Sequence, residues 1–432
     1  MISLVDRDQT ASPYVAASAG LLDKGARQVF DVVAPGPEKL VRFDSADASQ
    51  GHGPAATGYH LVDTTMMYAP NSGGVKRYLG VKRSWLTKHR PDIRHTLVVP
   101  GARTRRDSEG LVTVAATRLP FADGYRMPAS VGKWASVIRR CDPDIIEAGD
   151  VLVPGHGALE AGEALGVPVV GFCHTDAAAL AALHLGDWAE QPTFNLWAQA
   201  YQRFDLVVAP SRHTASRLAE AGVDKVSVLP FGVDTELFQP GRGDRARLFR
   251  KLGLAPEARL LVFAGRPARE KNVESMVAAV EKLGEPYHLL LIGAGRDTRP
   301  SSQVICVDYE SDPQKLASLV ASCDAFLHAN ENEIFGLVVL EAMAAGLPVI
   351  GPNKGGVGEL IDSSVGQHAD NSEPDSLAAA IEALFARDVA QIAQAARRRA
   401  ETRHGWEHTF EGLTRLYSSL INGVARPLAL SA

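Results

Sequence analysis

Asn330-Glu331-Asn332-Glu333-Ile334-Phe335-Gly336-Leu337 runs directly into Val338-Val339-Leu340-Glu341-Ala342-Met343-Ala344-Ala345-Gly346 and then Leu347-Pro348. Gly336 opens a run of helix formers and Gly346-Leu347-Pro348 closes it, so the spacing predicts one helix buried on nearly all sides. Glu341 is the only charge in it. A carboxylate in an apolar helix is costly to bury unless something pairs with it, which requires a partner in the fold or a ligand hydroxyl. Glu333 stands just before the helix, where the backbone N–H groups of Phe335, Gly336 and Leu337 and the helix dipole attract anions. Two carboxylates eight positions apart therefore bracket a helix start fit for a phosphate, and carboxylates accept hydrogen bonds from ribose and sugar hydroxyls. The stretch is shaped for a nucleotide-sugar.

Around this stretch the chain alternates apolar runs and helical segments, the pattern of doubly wound α/β sheets. Strand-like runs fall at 61–66, 95–99, 111–117, 144–148, 168–173 and 206–209, with helical segments at 74–89, 127–140, 154–165, 188–204 and 211–221. A second series follows at 260–264, 287–292, 304–307, 325–328 and 348–350, with helices at 271–283, 312–322, 336–345 and 374–385. Pro and Gly punctuation near 239–243 marks a joint between the two series. Residues 1–57 lack a sustained period and read as an N-terminal extension. The expected division is 58–222 for the first Rossmann-like domain, 223–405 for the second, and 406–432 for a terminal helix. Ligands of such sheets bind outside the carboxyl ends of the strands, which predicts two domains facing each other across a cleft.

Composition narrows the function. At 432 residues the chain is too long for one ordinary core. A hydrophobic fraction of 46% and a charged fraction of 22% are ordinary for a globular protein, and a net charge of −5 argues against a nucleic-acid partner. Cys141, Cys173, Cys306 and Cys323 are scattered without a C-x-x-C pair, so they read as small buried hydrophobes in a reducing compartment. No apolar stretch approaches the length of a membrane span, and a cytoplasmic location is expected.

Other motifs sit at strand ends. Arg266 in Gly265-Arg266-Pro267-Ala268-Arg269-Glu270-Lys271-Asn272 follows the strand at 260–264, and Lys271 stands near the next helix. Both cations can meet a diphosphate, which gains negative charge as its bond to a sugar breaks. Gly293-Ala294-Gly295-Arg296 superficially matches a dinucleotide fingerprint, but Thr298 holds the third glycine position. Gly73 and Gly74 precede a helix, where a backbone without Cβ lets N–H groups approach an anion. His174-Thr175-Asp176 ends the strand at 168–173, where a histidine can hydrogen-bond a sugar or simply close a core edge. Lys76, Arg77, Lys82, Arg83, Lys88 and Arg90 crowd the helix after the paired glycines. Two readings stand for that helix: a face resting on an anionic membrane, or a solvated face over a core stripe.

Glu333 and Glu341 with seven residues between them, followed by Ala342-Met343-Ala344-Ala345-Gly346-Leu347-Pro348, resemble the E-x7-E signature of retaining glycosyltransferases of family 4, which have the GT-B fold. The resemblance implies transfer of a hexose from a nucleoside-diphosphate-sugar to an acceptor hydroxyl of a lipid, glycan or small molecule, with GDP-mannose slightly favoured over UDP-hexoses. By the same resemblance Arg266, Lys271, Glu333 and His174 are catalytic. Gly73, Gly74, Asp176, Gly293, Gly295, Asp308, Tyr309, Phe335, Gly336, Leu337 and Glu341 are implied to bind substrate, with Gly293, Gly295, Asp308 and Tyr309 near the nucleotide base. Gly355-Gly356 would support the donor pocket, and the terminal helix would cross back to the first domain. Phe231 departs from the family, which usually has Asn there. No metal and no cofactor beyond the nucleotide-sugar co-substrate is implied, and the acceptor stays undefined. The rivals are a nucleotide-sugar epimerase and a non-catalytic nucleotide-sugar-binding protein.

Overall fold

The computed structural model describes residues 58–69, 73–119, 124–266, 268–293 and 301–423. Residues 1–57, expected as an extension, and Gly295 lie outside the described residues. The chain divides into two compact units. One takes the chain up to Pro210, then Thr214–Leu229 and the segment from Phe410 on; the other takes Ser211–His213 and Pro230–Thr409.

In the first unit, stretches rich in Val, Ile and Leu are covered on both faces, as parallel strands require. In spatial order the sheet runs Val226–Val228, Leu206–Ala209, Val169–Phe172, Ile145–Ala148, His60–Thr64, Arg94–Gly101, Leu111–Ala115 and Arg105–Arg106. All neighbours are parallel except Arg105–Arg106, which pairs antiparallel with Leu111–Ala115. Leu61, Val62, Ile145, Ile146, Val170 and Val207 are fully buried. The strand order reverses between His60–Thr64 and Ile145–Ala148, which is where a doubly wound sheet opens a crevice at its carboxyl end.

The second unit repeats the plan with six parallel strands, in the order Val304–Val307, Tyr287–Ile292, Arg259–Ala264, Ala325–Leu327, Val349–Pro352 and Gly366–Ala369. Here the reversal lies between Arg259–Ala264 and Ala325–Leu327. The apolar helix expected from the sequence spans Leu337–Ala344, and its Val339 to Ala344 are buried. Its C-terminal end is held from outside. Arg397, on the Val389–Arg403 helix, donates to the carbonyls of Ala344 at 2.6 Å, Phe238 at 2.7 Å and Thr235 at 3.0 Å. One guanidinium thus satisfies a helix-end carbonyl and two carbonyls of the segment 235–238 in the same unit.

Several boundaries differ from the sequence expectation for physical reasons. The helix expected at 127–140 starts only at Val131, because Met127 pairs in the Thr117–Arg118/Arg126–Met127 hairpin, Pro128 disfavours helix before it, and Ser130 caps the Lys133 N–H. Ala177–Leu185 is helical although its Ala-rich run has no polar face to mark a period. The Gly366–Ala369 edge strand is too short, and its Gly, Gln and His too polar, to have read as a strand. Lys82, counted among the surface cations, is 1% exposed. All four cysteines carry free thiols, and Cys306 alone is only partly buried.

Arg397→Met should destabilise the protein by about 2–4 kcal/mol, since three charge-assisted bonds are lost and buried carbonyls are left behind. Urea unfolding measures this directly, and a loss under about 0.5 kcal/mol, the level of an ordinary surface change, would refute the capping role.

Candidate active site

The carboxyl edge of the second sheet gathers most of the residues singled out from the sequence. Arg259–Ala264 ends in Gly265 and an exposed Arg266, and the chain turns through a 3-10 segment, Arg269–Lys271. Asn272 follows at φ 50°, a left-handed conformation that asparagine tolerates better than most side chains, and the Val273–Leu283 helix begins there. Lys271 therefore sits before the helix instead of in its first turn. Its Nζ lies 2.5 Å from Oε2 of Glu333, and Asn330 Nδ2 donates to the same oxygen at 3.1 Å.

Glu333 reaches this point from the loop after Ala325–Leu327, so the pair joins the two strands that flank the reversal. Burial would raise the Glu333 carboxyl, but the Lys271 charge, the neighbouring His328 and hydrogen bonds from Lys271 and Asn330 outweigh it and hold the group down to about 2. His328 is fully buried beside them, and burial draws its imidazole down to about 4. Asn330 and His328 carry no assignment from the sequence. The only signal was their position, since both follow the strand end that leads to Glu333.

The loop from Glu331 to Phe335 is shaped by glycines opposite it. Gly355 has φ 62°, and a Cβ there would meet the Glu331 carbonyl oxygen at 2.6 Å. A Cβ on Gly356 would lie 2.0 Å from the Ile334 carbonyl oxygen, while its N–H donates to Glu333 O at 2.7 Å. The backbones touch, so only glycine fits. Glu331 is fastened on the other side by Lys354 at 2.7 Å and the Ser372 N–H at 2.8 Å. Gly336, at φ 90°, then turns the chain into the Leu337–Ala344 helix, whose start no side chain caps. Phe335 is buried edge-on against Phe231 at 5.5 Å, so the residue that replaces the family's Asn serves as packing for this turn. Glu341 is 6% exposed inside the helix.

Gly293 ends the neighbouring strand at φ 95°, and a Cβ there would meet the Gly265 carbonyl oxygen at 2.6 Å. Asp308 and Tyr309 follow the outer strand and are exposed, Tyr309 by 70%. Arg266, Lys271, Gly293, Asp308, Tyr309, Glu333, Phe335, Gly336 and Leu337 thus all follow carboxyl ends of strands in one sheet.

In the first unit, His174 follows Val169–Phe172 and stacks on Phe172 with centroids 4.3 Å apart and planes 4° from parallel. Tyr78 lies 5.0 Å away on another side, and a Cβ on Gly149 would come within 3.2 Å of the imidazole. Burial first, then the Lys82 charge, pull the imidazole down to about 3 against the opposing Asp63, so it is neutral near pH 7. Asp176 has a structural engagement: it caps the Ala179 N–H at 3.0 Å and pairs with Arg217. Gly73 precedes the Gly74–His89 helix without a side-chain cap, and a Cβ there would meet nothing within 4 Å.

Known proteins share this organisation. The family described as Glycosyl transferases group 1 matches residues 244–403, and Glycosyltransferase Family 4 matches residues 72–237. A GDP-mannose-dependent alpha-(1-6)-phosphatidylinositol dimannoside mannosyltransferase of Mycobacterium tuberculosis is 29% identical over 357 residues, covering 79% of this chain and 91% of the relative. A D-inositol 3-phosphate glycosyltransferase of Xylanimonas cellulosilytica is 31% identical over 289 residues, covering 61% of this chain and 69% of the relative. Among solved structures, sucrose-phosphate synthase from Thermosynechococcus elongatus gives a TM-score of 0.69 at 18% identity, covering 84% of this chain and 100% of that one. Anabaena HepE in complex with UDP and glucose gives 0.64 at 20% identity, covering 83% and 99%.

Two outcomes follow from the geometry. Gly356→Ala should weaken nucleoside-diphosphate binding by about tenfold or more, because the added methyl displaces the Glu333 loop by about an ångström or more; calorimetric affinities equal to those of the parent would refute the contact. Because folding lowers the Glu333 carboxyl, its contribution to stability is fully present above the ordinary carboxyl value of 4.5 and is lost as the pH falls through about 2. In Lys271→Met, carbon-13 titration should find the Glu333 carboxyl raised from about 2, with only His328 and the Asn330 hydrogen bond left to oppose burial; a value still near 2 would show that Lys271 is not what lowers it.

Proposed function

We propose, on the premise that the chain belongs to glycosyltransferase family 4 and has the GT-B fold of two Rossmann-like units, that it is a retaining mannosyltransferase using GDP-mannose. Its acceptor is a hydroxyl group of a lipid, glycan or small molecule. The observation that carries this reading is the convergence of Arg266, the Lys271–Glu333 pair and the start of the Leu337–Ala344 helix on one strand-order reversal. Support for the donor comes from relatives named as GDP-mannose-dependent mannosyltransferases, in Mycobacterium tuberculosis, Corynebacterium glutamicum and Mycolicibacterium smegmatis.

Arg266 and Lys271 bind the donor diphosphate and stabilise the charge it gains as the bond from the anomeric carbon to the phosphate oxygen breaks. Backbone N–H groups at Phe335, Gly336 and Leu337 add fixed dipoles at no reorganisation cost. Glu333, ionised over the working pH range, accepts hydrogen bonds from the sugar hydroxyls and keeps Lys271 in place. Glu341 accepts the ribose hydroxyls, and Gly293, Asp308 and Tyr309 border the base. Neutral His174 hydrogen-bonds the transferred sugar, and the N–H groups at Gly73 and Gly74 approach the phosphates. Retention follows if the acceptor attacks from the face the diphosphate leaves, with the departing phosphate oxygen taking the acceptor proton. These fixed cations and the helix start supply the charge that a divalent metal supplies in other transferases.

No helix among the described residues is long and apolar enough to cross a membrane. Peripheral contact with anionic lipid, the second part of this reading, rests on the cations of the Gly74–His89 helix other than Lys82, which is buried.

Thermal unfolding with a panel of nucleoside diphosphates tests the donor: GDP at about a hundred times its Kd should add about 2.7 kcal/mol, with UDP and ADP adding far less. Arg266→Ala should lower acceptor-dependent GDP release by about 10²–10³. Protection by UDP alone would reassign the donor, and a new sugar epimer without release of diphosphate would overturn transferase activity.

A further inference from the structure

Behind His174 lies a cluster of buried charges to which the proposed transfer assigns no part. Lys82 Nζ is 2.9 Å from Asp63 Oδ1, 2.9 Å from Glu147 Oε1 and 2.9 Å from the Tyr417 hydroxyl. Tyr417 donates its hydroxyl proton to the other Glu147 oxygen, His95 Nε2 lies 2.8 Å from the other Asp63 oxygen, and the Tyr78 hydroxyl is 3.4 Å from Glu147. Asp63, Lys82 and Glu147 are each 1% exposed. A buried trio of charges costs desolvation that an apolar trio of equal volume avoids, and what such networks supply in return is a fixed geometry.

The element that receives this geometry is Tyr78. Its hydroxyl is tethered to Glu147, and its ring lies 5.9 Å from Phe410, 5.2 Å from Phe172 and 5.0 Å from His174. Tyr417 and Phe410 both belong to the last helix, Trp406–Ile421. We propose that the Lys82–Glu147–Tyr417 cluster is a positioning device, by which the last helix fixes the Tyr78 ring and through it the plane of the His174 imidazole. The proposal rests on the reading of His174 as the group that meets the transferred sugar. Phe172 and Gly149 limit the imidazole on two other sides, so Tyr78 is the contact whose pose depends on a polar tether. The ionisable groups that face this region are Asp63, His95, Lys82, Glu147, Tyr78 and Tyr417, and the Lys82 charge reinforces burial in keeping His174 neutral.

Tyr417→Phe removes only the hydroxyl that links Lys82 to Glu147. It should lower kcat about tenfold, as small misplacements at a reacting centre do, with the GDP Kd changed far less because most of the contacts assigned to the nucleotide belong to the other unit. The carbon-13 resonance of the His174 imidazole, identified by its loss in His174→Gln, should move or broaden. Asp205→Ala, which removes the carboxylate that accepts from the Val169 N–H at 2.8 Å in the same unit, serves as the control for general destabilisation and should leave that resonance and kcat unchanged. If Tyr417→Phe does not fold, Tyr78→Phe cuts the same tether at its other end. A His174 resonance and kcat unaltered in both tyrosine variants, or altered equally by Asp205→Ala, would overturn the positioning role. Full turnover in His174→Gln would instead overturn the sugar-contact reading, and the resonance would still report on positioning.

Discussion

The second unit is organised by one ion pair at a place where backbone geometry alone would leave two loops unconnected. Strands Arg259–Ala264 and Ala325–Leu327 diverge in connectivity, each leading outward into its own half of the sheet. Lys271 and Glu333 tie the loops that follow them, and the Asn330 amide completes the carboxylate. A pair of this kind adds little to stability where water reaches it, but it fixes two side chains in one geometry. Its value is preorganisation, because a cation held by a carboxylate need not be gathered when charge develops nearby.

The pair depends in turn on close approach between backbones. Gly355 and Gly356 let one turn lie directly on the carbonyls of Glu331, Glu333 and Ile334, and Gly293 does the same against Gly265. Neighbouring loops therefore locate one another through main-chain contact, which has no rotamers to vary. Phe231 and Phe335 fill the space behind, and Arg397 locks the far end of the helix that Gly336 begins. The carboxyl edge is rigid for reasons that reach from one end of the Leu337–Ala344 helix to the other.

Much of this was legible in the sequence. The parallel strands showed as short apolar runs, and Glu333, Glu341, Arg266 and Lys271 stood out because charges beside apolar runs must be paired or used. The resemblance to family 4, carried by the E-x7-E spacing, supplied the fold and activity that spacing alone could not. What the sequence hid depends on contacts between distant segments. Nothing local in Asn330 says that its amide meets Glu333, and nothing local in Asp176 says that it pairs with Arg217. Lys82 is the plainest case: on a helix crowded with cations it read as surface, yet Asp63 from the preceding strand, and Glu147 and Tyr417 from far along the chain, bury it.

The return of the chain from Phe410 onward to the first unit has a consequence for biosynthesis. A ribosome makes Asp63, Lys82 and Glu147 long before Tyr417, so the first unit cannot finish its interior until the helix that carries Tyr417 has been translated. Domains of many chains mature in the order of their synthesis. Here the first unit must wait, its ammonium and carboxylates lacking a hydroxyl, for a helix whose Tyr417 lies 335 residues after Lys82.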